Sequence, residues 1–247
     1  MSLRTQLYAF CVVAALAALA APAANAAPVC AGALLMNPGD TVVMGAGAFG
    51  DCTGTAVAST LVVSQSMPFT SSTGLDSGTL ISAVYRENGA GTLDFYYQVV
   101  LNMTSTNCGA VGQRACDPIA RETNIDFING GVWTTWAATR GDAVGPFTAG
   151  TIFPITADRN GVGDVVGFSF NPPDGAKIPP GATSAILIVS TNATNYTLGD
   201  SNVIDGGVTT VASYEPAAAP AVPEPASLVL LGSGLLTLVA IRRSRTV

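Results

Sequence analysis

The chain has 247 residues, with 16 acidic and 10 basic side chains, a net charge of −6 and no histidine. The lack of histidine excludes the Ser-His-Asp and Cys-His catalytic arrangements and the usual zinc sites. The chain is acidic, and apart from three arginines near its C-terminal end it has no basic cluster, so it is not expected to bind nucleic acid.

Residues 1–26 are predicted to be a secretory signal peptide. Arg4 supplies the positive start, an alanine-rich apolar segment follows, and Ala24 and Ala26 are small residues at the two positions that signal peptidase reads. Signal peptidase is therefore an expected partner during export, and the mature chain is expected to begin at Ala27.

Residues 27–215 are predicted to form the folded domain. Up to residue 222 the mature chain has six basic residues and 15 of the 16 acidic ones, so its net charge is −9.

The mature chain also has four cysteines, an even number, which favours two disulfides in an oxidising compartment. Three pairings are possible. We expect the two local ones, which join Cys30 to Cys52 and Cys108 to Cys116.

Alternating apolar and polar residues predict strands through the middle of the chain. The clearest case is residues 93–103, which predicts a strand with one buried and one wet face. Residues 79–86, 123–127 and 166–170 alternate in the same way, whereas residues 185–189 are apolar throughout and are expected to be covered on both faces.

Turn sequences rich in glycine and proline separate these strands, and no sustained helical periodicity appears between residues 40 and 215. We therefore predict an all-β fold, an antiparallel β-sandwich with jelly-roll topology as one form and a barrel as the alternative. An N-terminal signal helix and a C-terminal hydrophobic helix would flank it.

Paired carboxylates are the one catalytic device that the composition leaves open. The domain has only three glutamates, Glu87, Glu122 and Glu215, and their spacing singles out no pair. We predict that they are surface carboxylates, that the protein is not an enzyme and that it needs no cofactor.

Residues 158–164 match part of a calcium-binding loop, because oxygen-bearing side chains alternate there and glycine is at the sixth position. Val162 lacks the oxygen that such a loop needs and Ser169 stands where a glutamate belongs, so we predict a β-turn and no metal site.

Aromatic residues could instead bind sugars. Tyr96, Tyr196 and Tyr214 are candidates for exposed stacking surfaces, and Trp133 and Trp136 are expected to point to opposite sides of a strand, one into the core and one outward.

The C-terminal end consists of a linker and three further blocks. The linker is residues 216–222, a proline- and alanine-rich segment without periodicity. The blocks are Pro223, Glu224 and Pro225; the uncharged residues 226–241; and Arg242, Arg243 and Arg245. Sixteen residues make a helix of about 24 Å, short of the bilayer core of about 30 Å. We predict a short transmembrane segment with its arginines in the cytoplasm.

Residues 223–247 resemble the PEP-CTERM sorting signal in the order, spacing and position of these blocks. The resemblance implies an exported protein of a Gram-negative bacterium that is recognised and cut by exosortase, a membrane-embedded protease. The chain would pass through an inner-membrane intermediate, with transient insertion of its tail, and reach the cell surface or extracellular matrix. An ordinary tail anchor is the rival interpretation.

We therefore expect a structural or interaction protein linked to exopolysaccharide or biofilm. A lectin-like module that binds carbohydrate or calcium is the alternative, and a polysaccharide hydrolase is the third hypothesis.

Overall fold

The computed structural model describes residues 28–47, 49–72, 74–103, 118–128, 133–170 and 177–218, and these ranges contain β-strands and no helix. The two predicted flanking helices lie outside the described residues. The strands are β1 (Leu34–Met36), β2 (Thr41–Val43), β3 (Ser59–Thr70), β4 (Ser77–Glu87), β5 (Leu93–Leu101), β6 (Arg121–Asn124), β7 (Thr135–Arg140), β8 (Thr156–Arg159), β9 (Val166–Ser169), β10 (Ile186–Thr191), β11 (Asn195–Ile204) and β12 (Val208–Ala217).

These strands form two six-stranded sheets. The first sheet has the order β1-β7-β10-β5-β4-β3, and the second has the order β12-β11-β6-β9-β8-β2. Neighbouring strands are antiparallel throughout both sheets. The all-β antiparallel prediction is confirmed, while jelly-roll topology stays a prediction.

The main hydrophobic core contains side chains from both sheets, as in a sandwich. Phe95 and Val99 come from β5 in the first sheet, and Phe168 and Val203 come from the second sheet. The Phe95 ring meets Phe127 edge-on at 5.7 Å, next to the end of β6. Burial of these large apolar side chains is the main force that holds the two sheets together.

A further layer covers the outer face of the first sheet. Tyr96 and Ile188 point to that face, and they pack with Phe147 and with Cys30 and Cys52 from the N-terminal segment. The prediction of one wet face on the strand at residues 93–103 is therefore wrong. Both faces of β5 are buried, because loops cover the side that alternation assigned to solvent.

The other predicted strands are present, and one of them is shorter than predicted. β10 is buried at every position, which confirms the prediction for residues 185–189. β6 ends at Asn124, earlier than predicted, because Asp126 has a positive φ of 63°, a conformation that extended strands do not use.

Both prolines that lie within strands occur in strands at sheet edges. Pro68 is in β3 and Pro216 is in β12, each the outermost strand of its sheet. An edge strand has backbone groups without a ladder partner, so the missing N–H of proline does little harm there. β12 ends at Ala217, two residues inside the range predicted as linker.

Candidate functional site

The structure describes one of the two predicted disulfides. Cys30 and Cys52 are bonded, with their Cα atoms 5.7 Å apart, which confirms that pairing. Cys108 and Cys116 lie outside the described residues, as do the residues predicted for signal cleavage and sorting. Those residues are Ala24, Ala26, Pro223, Glu224, Pro225, Arg242, Arg243 and Arg245.

The disulfide fastens the N-terminal segment against the first sheet. Cys30 and Cys52 are both buried, and the N–H of Cys52 donates to the carbonyl of Thr139 in β7 at 2.7 Å. Val57 donates to the carbonyl of Val29 at 2.7 Å, so the segment is held at both ends of the loop. The crosslink therefore stabilises the layer that covers the outer face.

The three glutamates of the domain are buried, so the prediction of surface carboxylates is wrong. Glu122 has no exposed surface, and Glu87 and Glu215 are each 4% exposed. Burial of a carboxylate without a cation is costly, and the usual response is a raised pKa that keeps the group neutral.

Glu122 shows this effect most clearly. It lies on β6, opposite Phe168 on one side and Val203 on the other. Its Oε2 accepts a hydrogen bond from Asn124 at 3.1 Å, while its Oε1 has no partner among the described residues. Burial raises the pKa of Glu122 to about 8, despite the opposing effect of Asn124.

Tyr97 is a buried tyrosine on β5 of the first sheet, and its hydroxyl reaches the second sheet. Its hydroxyl donates to the carbonyl of Tyr214 at 2.6 Å, which ties β5 to β12. Burial, together with the charges of Glu122 and Glu215, raises the pKa of Tyr97. On the second sheet, the Ser201 hydroxyl donates a hydrogen bond to the side-chain oxygen of Asn124 at 2.6 Å.

A second acidic position lies on the outer face of the first sheet, beneath the covering layer. Asp94 is fully buried and accepts a hydrogen bond from the hydroxyl of Ser190. Burial, with a smaller contribution from the nearby Glu87, raises the pKa of Asp94 to about 8 despite the opposing hydrogen bond from Ser190. A glycosidase places its acids on either side of an open cleft. The buried positions of Asp94, Glu87 and Glu122 differ from that arrangement.

The turn predicted at residues 158–164 is present at residues 160–165, between β8 and β9, while Asp158 and Arg159 belong to β8. The Asn160 side-chain oxygen accepts from the backbone N–H groups of Gly163 at 2.7 Å and Asp164 at 3.0 Å. Asp158 is paired with Arg121 through two contacts of 2.5 and 2.7 Å. Within the described ranges, no three acidic, cysteine or histidine side chains are grouped so that they could hold a metal ion.

The aromatic predictions are partly wrong. Tyr96 and Tyr214 are buried, and only Tyr196 is half-buried, with its ring edge-on to Tyr214 at 5.8 Å. Trp133 and Trp136 are both half-buried, so neither takes the core or the fully exposed position expected for the pair.

The sequence also gave no indication of a surface pocket of about 160 Å³. It lies where the end of β8 in the second sheet meets β1 and the residues before β7 in the first. Its lining residues are Leu35, Met36, Asn37, Pro38, Trp133, Thr134, Thr135 and Arg159, and we call it the Trp133–Arg159 pocket.

Arg159 is the unusual member of this pocket. It is only 3% exposed, and its Nη1 donates to the carbonyls of Trp133 at 3.0 Å and Met36 at 3.3 Å. Its Nε donates to the carbonyl of Gly163 at 2.9 Å. In the described part of the chain, neither Nη2 of Arg159 nor Nε1 of Trp133 has a hydrogen-bond partner. Burial lowers the pKa of Arg159.

The comparisons with known proteins identify one feature of the chain. A family described as PEP-CTERM protein-sorting motif matches residues 221–244, which confirms the resemblance noted in the sequence. No curated protein and no solved structure matches the chain. The motif implies an exported, cell-surface protein of Gram-negative bacteria that exosortase sorts.

In the part of the chain that the structure describes, no helix is long and apolar enough to cross a membrane. The segment predicted to do so, residues 226–241, lies outside that part.

Proposed function

We propose that this protein is an exported cell-surface or matrix component whose β-sandwich has a structural or interaction role with exopolysaccharide in a biofilm. Signal peptidase would remove residues 1–26 during export. The C-terminal segment would then hold the chain briefly in the inner membrane until exosortase cuts near Pro223–Pro225.

The observation that carries the proposal is the sorting motif at residues 221–244. It begins only a few residues after β12, which ends at Ala217. A short proline- and alanine-rich linker between a folded domain and a membrane segment would leave the motif accessible to a membrane protease.

The Cys30–Cys52 disulfide supports the same compartment. Structural disulfides form and persist in oxidising environments such as the periplasm and the cell exterior, and they are rare in the cytosol. The crosslink therefore fits a domain that completes its folding after export.

We propose that the domain works by binding or assembly and not by catalysis. Nucleophiles activated by histidine are excluded by composition. The acidic residues with raised pKa, Glu122 and Asp94, are enclosed in the protein. A polysaccharide substrate would have no direct access to them.

A variant with Pro223→Ala, Glu224→Ala and Pro225→Ala tests the sorting step. We expect this variant to accumulate in the inner membrane with its C-terminal segment intact, because the motif read by the protease is lost. Cell fractionation and intact mass measure both outcomes. Pro220→Ala in the linker is the matched control and should sort normally. Equal surface display of the triple variant and the unchanged protein would refute the sorting proposal.

A lectin-like role is the second candidate, and the Trp133–Arg159 pocket is the observation that favours it. Tryptophan and arginine are residues that proteins use repeatedly to bind ligands at surfaces. The calcium variant of that hypothesis has less support, because Asp158 in β8 is paired with Arg121 and the Asn160 side chain bonds to the backbone of the turn that follows β8.

A further inference from the structure

We propose that the Trp133–Arg159 pocket binds a carboxylated sugar unit, such as a uronic acid residue of a polysaccharide, with the acid group on Arg159 and the ring against Trp133. This inference deepens the second candidate function by naming its ligand class. It does not depend on sorting, because it concerns the folded domain alone.

The Arg159 guanidinium is buried without an acidic partner in the described ranges. Its three hydrogen bonds within the described ranges go to neutral backbone carbonyls, those of Met36, Trp133 and Gly163. Two half-buried arginines, by contrast, are each paired with an acid: Arg121 with Asp158 and Arg140 with Asp142. Arg159 has no such pair in the described ranges, although it is the most buried of the three.

A buried cation with an unused donor is costly to the fold unless an acceptor reaches it. Nη2 of Arg159 is such a donor. Guanidinium groups bind carboxylates through short, charge-assisted hydrogen bonds that are about twice as strong as neutral ones. An acidic ligand would therefore supply the missing acceptor and the missing negative charge together.

The indole of Trp133 lines the pocket beside Arg159. Nε1 of Trp133 is also a buried donor without a partner in the described residues. Its ring lines the same pocket as Arg159, and an indole offers a flat apolar face beside one polar N–H. A sugar ring has the complementary character, with C–H groups on its faces and oxygen acceptors at its edge.

The size of the pocket and its exposed rim also fit this ligand class. About 160 Å³ is below the range of about 300 to 1,000 Å³ that holds drug-sized ligands, so the pocket suits one sugar unit while the rest of a polymer stays outside. Leu35, Asn37 and Pro38 form an exposed rim. Because Nη2 is itself buried, binding requires the Leu35 and Asn37 side chains to rotate and open a path to it, and such rotations are common on binding.

The charge of the domain opposes anionic ligands at long range but does not prevent this contact. Surface charges are screened within about 8 Å at physiological salt, whereas a buried contact is screened much less. We therefore expect binding to be retained, or strengthened, as salt rises from low to physiological levels.

The test is calorimetric titration of the exported protein, purified from the producing cells, with glucuronate, glucose, acetate and inorganic phosphate at pH 7. Glucose has the ring without the acid, and acetate has the acid without the ring. We expect glucuronate to bind at least about tenfold more tightly than glucose or acetate, as the strength of one charge-assisted hydrogen bond implies. Phosphate should bind more weakly than glucuronate.

Two variants and a control locate the site. Arg159→Gln should remove the preference for glucuronate over glucose. Trp133→Phe, which keeps a ring but loses Nε1, should weaken glucuronate binding about two- to tenfold. The control is Arg86→Gln, because Arg86 also donates to backbone carbonyls, those of Gly91 and Thr194, but lies outside the pocket. It should bind glucuronate normally.

Several results would overturn the proposal. They are an absence of glucuronate binding, equal binding of glucuronate and glucose, tighter binding of phosphate than of glucuronate, or an equal loss in Arg86→Gln and Arg159→Gln. If Arg159→Gln does not fold, Trp133→Phe decides the question, since unchanged binding in that variant would also contradict it. A failure here leaves the sorting experiment unaffected, because that experiment measures location and mass.

Discussion

Glu122 illustrates how burial decides the chemistry of a single side chain. Its position on β6, in alternation with Thr123, predicted a wet face for it. In the structure that face points into the core, and Glu122 is fully buried between Phe168 and Val203 on the neighbouring strands. The hydrogen bond from Asn124 offsets only part of the cost, so the carboxyl stays protonated near neutral pH.

The stability of the protein should therefore fall as pH rises from about 4.5 to about 8. The pKa of Glu122 is raised from 4.5 to about 8 on folding, so over this range the folded chain retains a proton that the unfolded chain has lost. One such group changes the free energy of unfolding by about 1.4 kcal/mol per pH unit. We expect Glu122→Gln to remove that share, as measured by urea unfolding at several pH values.

The pKa of Asp94 is also raised, and Asp94 remains in the Glu122→Gln variant. The free energy of unfolding of that variant should therefore still fall with pH, but less steeply. Asp200→Asn, which changes an exposed carboxylate on β11, is the control and should keep the original slope. Identical pH dependence in Glu122→Gln and the unchanged protein would show that Glu122 is ionised in the fold.

Arg159 shows the limit of sequence reasoning at the scale of one residue. It stands between Asp158 and Asn160 in a polar turn sequence, which is typical of a solvated side chain. Its burial depends on Met36 and Trp133, whose carbonyls it binds and which are distant in sequence. No local pattern contains that information, so the pocket could be found only from the fold.

At the scale of elements, strand existence was predictable and strand burial was not. β10 was identified as covered on both faces because it is apolar throughout. β5 carries Asp94 and Gln98 on one face, which predicted solvent there. That face is buried because both groups have hydrogen-bond partners elsewhere in the fold. The Ser190 hydroxyl donates to Asp94, and the Gln98 side chain donates to the carbonyls of Thr148 and Ser184.

The disulfide should contribute to stability through the layer that it fastens. It joins residues separated by 22 positions, and crosslinks of similar loop length contribute about 3 kcal/mol. We expect the Cys30→Ala and Cys52→Ala double variant to lose about this much free energy of unfolding in urea titrations. It should also expose Tyr96 and Phe147, which the N-terminal segment packs against.

The control is the unchanged protein treated with a reductant, whose free energy of unfolding is compared with that of the double variant. Ordinary surface substitutions change the free energy of unfolding by about 0.5 kcal/mol or less. If the double variant differs from the unchanged protein by no more than that, the covering layer is stable without its crosslink.

At the scale of the whole molecule, the sequence predicts the fold class and the export route but not the ligand. The all-β class follows from period-two patterns and turn residues, and the two-sheet arrangement agrees with it. The route of the protein follows from a linear motif that needs no folding to be recognised, which is why residues 221–244 were identifiable directly. The ligand of the domain depends on contacts across the two sheets, and it can be approached only through the structure.

The account rests on the idea that both apolar ends direct export and that the β-sandwich between them is the delivered part. Intact mass spectrometry of the protein recovered from the cell surface tests this most directly. We expect a species that begins at Ala27 and lacks the chain from Leu228 onward. A surface species that keeps the complete C-terminal segment would contradict the account and favour a permanent tail anchor.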